Sequence, residues 1–354
     1  MIALRKANIP VESYDAYEID KYAIKVSEHN FPEIKQHGDV FNADFSQYNG
    51  IDILMGGSPC TYWSIAQRKN RETESSGLGW NLFQQYIKAL KETKPKYFIY
   101  ENNYSMSKSI RDSIDKSFGI ESIMINSALV SAQQRKRLYW VGKRNDDGSY
   151  SRVDIKQPID KGLVVNDILD SGTSWTDKSY CLTASYNGAV AWNTIERKQR
   201  TMIAESVNFD ISTPTKVGAM PRPNGELSKS QGLRLYSTDT KGVCLTVNGG
   251  GLGAKTGLYA IPQSENNLKK DTVYKVINKT INIKGKNYPI NLKDGYYTIR
   301  KLNVSEAKRL QTIPEWFDMS VISNNQAYKC LGNGWTVDVI AHILNKIKET
   351  DIEK

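Results

Sequence analysis

Short apolar runs alternate with amphipathic helical patterns through the first 144 residues, and this alternation constrains the fold more than any other feature. The apolar runs predict strands at 11–19, 51–57, 96–102 and 137–144, and the patterns between them predict helices at 20–31, 81–93 and 107–118. Such alternation is typical of a parallel sheet with helices on both faces. We therefore predict a doubly wound α/β fold for this part of the chain.

The pattern changes near residue 145. From there to residue 299 the helical periodicity fades, and Gly, Asn, Ser, Thr and Pro accumulate, as in β-rich and loop-rich structure. Helical patterns return at 301–311, where Ser305 is the predicted cap, and at 337–350. We expect an α/β domain over 1–160, a smaller β-rich and loop-rich domain over 161–299, and a hinge and closing helix over 300–354 that return to the first domain.

The net charge predicts a polyanionic partner. The chain has 48 Lys and Arg against 38 Asp and Glu, which gives a formal charge of +10. A cationic surface favours nucleic acid. Residues 1–60 reverse the sign, with five basic and nine acidic side chains, so a cationic ligand suits this segment.

The cysteines and histidines indicate neither a zinc site nor a disulfide framework. Four cysteines, at 60, 181, 244 and 330, lie far apart, and the chain has three histidines. No apolar run is long enough to span a membrane, and a signal-peptide pattern is absent. We expect a metal-free cytoplasmic protein.

Three polar segments follow or precede the predicted strands at one edge of the sheet. Cys60 follows strand 51–57, after Pro59 has fixed the backbone. Glu101 lies at the carboxyl end of strand 96–102. Arg135 and Arg137 are at alternate positions on one face, ahead of the last predicted strand. On its own, a lone cysteine is more often a buried structural residue, a lone glutamate a solvated strand end, and a basic turn a surface loop. Their placement at one edge favours a shared cleft.

The motifs that carry these residues resemble those of the cytosine-5 DNA methyltransferases. They occur in the family's order: EIDKYA (18–23), GDV (38–40), GSPCTYWS (57–64), ENN (101–103), QQRKR (133–137), RKLNVSEAKRLQTIP (300–314) and LGNGWTV (331–337). The family's usual ENV is ENN here, a departure at Asn103 that keeps the carboxylate. The resemblance implies a class I, Rossmann-like methyltransferase domain with a smaller target-recognition domain at 161–299.

The resemblance also implies the chemistry. The Cys60 thiolate attacks C6 of a cytosine that has been flipped out of duplex DNA, and C5 then accepts the methyl group of S-adenosylmethionine. Glu101 interacts with N3 of the base, while Arg135 and Arg137 hold the base carbonyl and the active-site loop. Source and context would be prokaryotic or phage DNA methylation, including restriction-modification.

Further residues follow from the same resemblance. The cofactor-binding residues would be Glu18, Ile19, Asp39, Val40, Gly57, Pro59, Asn333 and Trp335. The DNA-binding residues would be Ser64, Arg68, Lys69 and Arg71 in a mobile lid over 61–80, with Arg222, Lys229, Arg234 and Lys255 in the recognition domain. Cys181 and Cys244 lie in two similar phrases, 180–190 and 243–259, and are expected to be structural.

One family motif is missing. The Phe-x-Gly-x-Gly turn that surrounds the methionine end of the cofactor does not precede Glu18, and residues 1–9 resemble the tail of a helix. The natural start could lie upstream, a separate N-terminal polypeptide could supply the strand, or the copy could be degenerate. The leading hypothesis is a monomeric DNA (cytosine-5-)-methyltransferase. The alternatives are a DNA-binding remnant, half of a split methyltransferase, and a member of the RNA-methylating branch, for which the recognition region is large.

Overall fold

The computed structural model describes residues 1–59, 62–65, 71–207, 216–220, 226–227, 229, 233–237, 258–260 and 273–352. The chain forms two compact units, one comprising Met1–Ala204 with Arg300–Lys354 and the other Glu205–Ile299. The first unit continues past residue 160, where we expected the second domain to begin. Lys178 helps to hold this added segment, because its amino group donates to the carbonyl groups of Ala128, Ser131 and Leu163. The functional division at these boundaries stays a prediction.

The helices of the described chain all lie in the first unit. They are α1 (Ile2–Lys6), α2 (Lys21–Asn30), α3 (Gly77–Thr93), α4 (Lys108–Phe118), α5 (Ala191–Ile195), α6 (Val304–Leu310), α7 (Asn324–Asn333) and α8 (Val337–Ile352). The first eight strands are β1 (Asp15–Ala16), β2 (Lys35–Gln36), β3 (Ile53–Gly56), β4 (Tyr97–Asn103), β5 (Ile123–Asn126), β6 (Lys136–Arg144), β7 (Tyr150–Arg152) and β8 (Met202–Ser206). The predicted helices therefore exist, with ends displaced by a few residues.

The principal sheet of the first unit has the strand order β3-β4-β6-β5, with β7 paired to β6. β3 and β4 are parallel, whereas β6 is antiparallel to both β4 and β5. The sheet is therefore mixed, whereas the alternating pattern favoured a parallel one. The nine-residue connection 127–135 between β5 and β6 contains only the 3₁₀ turn Ser127–Leu129, and a connection this short reverses the chain.

Helices cover both faces of this sheet, because successive side chains of a strand point to opposite sides. Tyr97 and Ile99 of β4 pack in a cluster with α1 and α8. Phe98 and Tyr100 pack in a second cluster with α3 and α4. All seven residues of β4 are consequently buried, including the polar residues at its end.

Two local predictions fail. The strand predicted over 11–19 is reduced to β1, which pairs in parallel with β2 in a separate two-stranded sheet. Asn303, rather than Ser305, caps α6: its side chain accepts from the Glu306 amide at 2.8 Å, and the Glu306 carboxylate accepts from the Asn303 amide at 2.8 Å. This reciprocal pairing requires a glutamate three residues after the cap, and only Asn303 has one.

The described part of the second unit consists of strands. They are β9 (Lys216–Ala219), β10 (Arg234–Ser237), β11 (Leu258–Ala260), β12 (Val273–Ile277), β13 (Thr280–Ile283), β14 (Lys286–Pro289) and β15 (Gly295–Lys301). They form sheets in the orders β11-β10-β9 and β14-β13-β12-β15-β8, so β8 and β15 carry the chain into and out of the unit. The structure agrees with the expected β-rich character, and the role in target recognition stays a prediction.

Candidate active site

The buried carboxylate of Glu101 is the centre of the site. Glu101 lies near the end of β4 and is 8% exposed. Arg137 is at the start of β6, opposite Asn103 in the antiparallel register. Its Nε lies 2.9 Å from Oε1 of Glu101, and the indole Nε1 of Trp335 donates to Oε2 at 2.9 Å. Three of the predicted site residues, from three distant parts of the sequence, therefore meet here.

The segment that leads into Cys60 is fixed beside this carboxylate. A Cβ at Gly57 would lie 2.5 Å from the Glu101 carbonyl oxygen, so only glycine allows the two backbones to approach. The Ser58 hydroxyl shares a 2.6 Å hydrogen bond with the Tyr100 hydroxyl, and Asn102 donates to the Ser58 carbonyl at 3.1 Å. Burial raises the pKa of Tyr100 to about 12, so its phenol keeps its proton.

Cys60 itself lies outside the described residues, as do Arg68, Lys69, Arg222 and Lys255. The exposed Pro59 is the last described residue before it. The anchored Gly57–Ser58 segment lies next to Glu101. In the sequence, only Pro59 separates this segment from Cys60. The roles predicted for these five residues stay predictions.

Arg135 connects three segments of the chain by hydrogen bonds. Its guanidinium, on a residue that is 3% exposed, donates to the Leu182 carbonyl at 3.0 Å, to the Gly332 carbonyl at 3.2 Å and to the Gly334 carbonyl at 2.8 Å. It thus joins the turn before β6, the segment around Cys181 and the C-terminal end of α7. With these donors engaged, the geometry favours a positioning role over the predicted contact with the base.

Cys181 is a site residue that the sequence reasoning missed. Its Sγ lies 3.4 Å from Nη1 of Arg135 and 3.9 Å from Nη2 of Arg137. The neighbouring chain is close to the end of α7, because a Cβ at Gly332 would lie 2.2 Å from the Thr183 carbonyl carbon. The GNG motif that contains Gly332 was a signal for such an approach, but its partner segment could not be read from the sequence.

The predicted ribose and adenine residues lie at the carboxyl ends of β1 and β2. Glu18 Oε1 accepts from the amides of Ile19 and Asp20 at 2.8 Å each, which leaves Oε2 as the atom that can accept from a ligand. Asp39 accepts from the Phe41 amide at 2.9 Å and caps the short 3₁₀ turn that begins at Val40. Ile19 is 74% exposed. Two carboxylates beside an exposed apolar side chain fit the hydroxyl groups, amino group and ring of a nucleoside.

The C-terminal part of the predicted cofactor pocket is tied to α2. Asp20 caps α2 and forms a 2.7 Å ion pair with Lys329 of α7. Although burial opposes ionisation of Asp20, the Lys329 amine and the α2 amides hold its pKa below the usual value. Asn333, at the end of α7, is exposed. Trp335 instead reaches the Glu101 carboxylate, as described above.

The ends of the predicted lid are anchored. The indole Nε1 of the fully buried Trp63 donates to Glu72 at 3.0 Å, and Arg71 donates to the carbonyl groups of Trp63 and Ser105. Arg71 therefore connects described parts of the predicted lid to the segment at Ser105, and its predicted contact with DNA stays a prediction. Ser64 lies between these anchors and is half-buried.

In the second unit, Lys229 is exposed and Arg234 in β10 is half-buried. The described residues contain no cluster of three or more side chains suited to metal binding. Across the same ranges, no helix is both long and apolar enough to span a membrane.

The comparisons with known proteins identify the family. Residues 1–349 match the family described as C-5 cytosine-specific DNA methylase, and the chain belongs to that family. It is a DNA (cytosine-5-)-methyltransferase by family and by the names of its relatives. Its relatives include the orphan methyltransferase M.SPRI of Bacillus phage SPR, at 27% identity over 99% of this chain and 95% of that protein. They also include the type II methyltransferase M.HhaI of Haemophilus parahaemolyticus, at 25% identity over 93% and 85%.

Solved structures support the fold. The S. pombe Dnmt2 methyltransferase matches with a TM-score of 0.56 at 13% identity, over 99% of this chain and 94% of that one. The Entamoeba histolytica methyltransferase EhMeth matches with a TM-score of 0.55 at 14% identity, over 98% and 95%. The first unit thus has the Rossmann-like methyltransferase fold, with the mixed sheet described above.

Proposed function

We propose that this chain transfers the methyl group of S-adenosylmethionine to C5 of a cytosine flipped out of a specific duplex DNA sequence. A covalent bond between Cys60 and C6 of the base is the central intermediate. The observation that carries the proposal is the packing of Gly57 and Ser58, which precede Pro59 and Cys60 in the sequence, against the end of β4 that contains Glu101.

The Cys60 thiolate adds to C6 as Glu101 interacts with N3, so the ring becomes electron-rich at C5. S-adenosylmethionine would supply the electrophilic methyl group to C5, its S–CH3 bond would break, and S-adenosylhomocysteine would leave. Loss of the C5 proton to a base then restores the C5–C6 double bond and releases the thiolate. Arg137 stabilises the Glu101 carboxylate and orients it through the 2.9 Å contact.

Binding of both substrates rests on the residues with the appropriate chemistry. Glu18, Ile19, Asp39, Val40 and Asn333 would hold the nucleoside part of the cofactor. Duplex DNA would be held by the net positive charge, with Lys229 and Arg234 among the phosphate contacts. We further propose a cytoplasmic monomer that uses no metal ion.

A covalent trap tests the nucleophile. Duplex DNA containing 5-fluorocytosine should remain attached to the chain after methyl transfer, because fluorine at C5 cannot be lost as a proton. The Cys60→Ser variant should neither methylate nor form the adduct, yet it should bind DNA with affinity close to that of the parent. Cys330→Ser is the matched control, since the half-buried Cys330 of α7 has no proposed role in the reaction and its adduct should persist. An adduct on Cys60→Ser would exclude Cys60 as the nucleophile.

A second candidate function is that of one half of a two-part enzyme. It is favoured by the interrupted sheet: among the described strands, β1 pairs only with β2, and β3 pairs only with β4, so each has one unpaired edge. All four residues of β3 are only half-buried, although three are large and apolar, whereas β4 is buried throughout. An added strand at these edges would complete the sheet and the methionine end of the cofactor pocket.

A further inference from the structure

We propose that Trp335 is a positioning residue for Glu101 in methyl transfer, and not solely a wall of the cofactor pocket. The inference rests on the function proposed above. Its basis is the 2.9 Å hydrogen bond from the indole Nε1 of Trp335 to Oε2 of Glu101. Nothing in the spacing of residues 101 and 335 indicates this contact.

The two oxygens of the carboxylate are held by different elements. Arg137 of β6 binds Oε1, and Trp335, between α7 and α8, binds Oε2. The backbone at Gly57 closes a third side, because a Cβ there would lie 3.4 Å from Oε2. With both oxygens bound, rotation of the carboxylate about its terminal bond is restricted, and the face offered to a base is fixed.

Trp335 is itself well held. The carbonyl group of the preceding Gly334 accepts from Arg135 at 2.8 Å. The hydroxyl group of the following Thr336 bonds to Ser127 at 2.8 Å and donates to Gln311 at 2.9 Å. The indole also packs against the cluster between the sheet and α8. Because the residues on both sides of Trp335 are held, its indole N–H can orient the Glu101 carboxylate; a mobile indole would instead follow the carboxylate.

The expected consequence is a change in kcat rather than in binding. Without the Trp335 N–H, Arg137 still binds Oε1 of Glu101 but Oε2 can turn. The carboxylate then spends less time in the orientation toward N3 of the base that supports the reaction. A hydrogen bond to a charged group contributes enough that its loss should lower kcat about 10- to 100-fold. If Trp335 served only the cofactor, its removal would instead raise KM for S-adenosylmethionine.

The test is Trp335→Phe, which keeps an aromatic ring and removes the N–H. We expect the fall in kcat with KM for DNA and for S-adenosylmethionine within about threefold of the parent. Trp140→Phe is the matched control: Trp140 donates to Asp115 at 2.6 Å within the cluster on the opposite face of the sheet from Glu101, so its variant should lose stability but keep kcat. An unchanged kcat in Trp335→Phe, or a change confined to KM for the cofactor, would overturn the proposal.

A spectroscopic arm separates this proposal from the proposed function. In protein labelled with ¹⁵N-tryptophan, the indole resonance absent from Trp335→Phe identifies Trp335. Glu101→Gln should shift that resonance, because the acceptor loses its charge, while the Trp140 resonance stays in place. A Trp335 resonance that does not move would refute the contact and with it the proposal. If the Trp335 resonance shifts in Glu101→Gln as expected but the parent chain forms no 5-methylcytosine, the proposed function is refuted instead.

Discussion

Arg135 and Arg137 belong to one short motif, yet they have different surroundings. The sequence predicted both at the active site, but Arg137 lies in β6 whereas Arg135 lies in the turn before it, where the segments around Leu182 and Gly332 pack around its guanidinium. Arg137 binds the Glu101 carboxylate, whereas Arg135 is buried among backbone carbonyl groups. The motif could place both residues at the sheet edge, but only the fold shows which segments pack around each one.

This difference predicts opposite effects for two conservative variants. Arg135→Lys should lower the unfolding midpoint by several degrees, because an ammonium cannot reach the carbonyl groups of Leu182, Gly332 and Gly334 together. Arg137→Lys should leave the midpoint almost unchanged and reduce methylation instead. Differential scanning calorimetry and a methyl-transfer assay on both variants distinguish the two roles. Equal loss of stability in both would contradict the assignment.

The pKa of the Cys330 thiol is raised, whereas a catalytic thiol typically has a lowered pKa. Burial raises its pKa to about 11, and the nearby Asp20 carboxylate adds to the effect. Little thiolate exists at pH 8, so iodoacetamide should label Cys330 about a hundredfold more slowly than an ordinary cysteine. The rate should rise about tenfold per pH unit below the pKa. Mass spectrometry of tryptic peptides measures it, and rapid labelling of Cys330 in the native chain would contradict the expectation.

Among the elements, the long periodic helices were predictable and the short strands were not. The helices at 20–31, 81–93, 107–118 and 337–350 have an apolar face that packs on one sheet or cluster, so the pattern survives folding. β1 is too short for an alternation signal, and the direction of β6 depends on a nine-residue connection, 127–135, rather than on the strand itself.

The start of α6 contains a buried ion pair that the sequence pattern does not predict. Glu306 is fully buried, and both of its oxygens lie 2.8 Å from the guanidinium of Arg300. Arg300→Ala would leave this carboxylate buried without its partner, which typically costs about 3–5 kcal/mol. The unfolding midpoint in heat or urea should fall accordingly.

Arg309→Ala is the matched control for this prediction. Arg309, also in α6, pairs with the half-exposed Asp170 and the exposed Glu315. Exposed ion pairs contribute about 1 kcal/mol or less, so the control should be much closer to the parent. Similar losses in the two variants would mean that burial does not distinguish the pairs.

For the whole molecule, motif order and charge carried more information than the pattern of single elements. The motifs at 57–64, 101–103 and 133–137 indicated the family and the edge at which the site lies, since the parallel strands β3 and β4 end there and the antiparallel β6 begins there. The contacts of Trp335 and Cys181 depend on the return of the C-terminal segment to the sheet, which no local pattern encodes. The interrupted sheet became visible only once the pairing of β1 and β3 was known.

That interruption leads to a prediction about cofactor binding. If the second candidate function holds, adding a strand of about a dozen residues that ends in Phe-x-Gly-x-Gly ahead of Met1 should strengthen binding of S-adenosylmethionine. The added strand would pair with the free edges of β1 and β3, and its glycine turn would supply backbone hydrogen bonds to the methionine end. Two or three such bonds would raise affinity by about tenfold or more.

Calorimetric titration of S-adenosylmethionine into the 354-residue chain and the extended chain measures this effect. An extension with both glycines replaced by valine is the matched control, since it can pair as a strand but its side chains block close approach of the backbone to the ligand. Equally tight binding by the parent and extended chains would exclude the two-part enzyme, because the existing residues would then suffice. If neither chain bound the cofactor while both bound DNA, the result would favour a DNA-binding remnant, because a completed sheet would still lack a working pocket around Glu18 and Asp39.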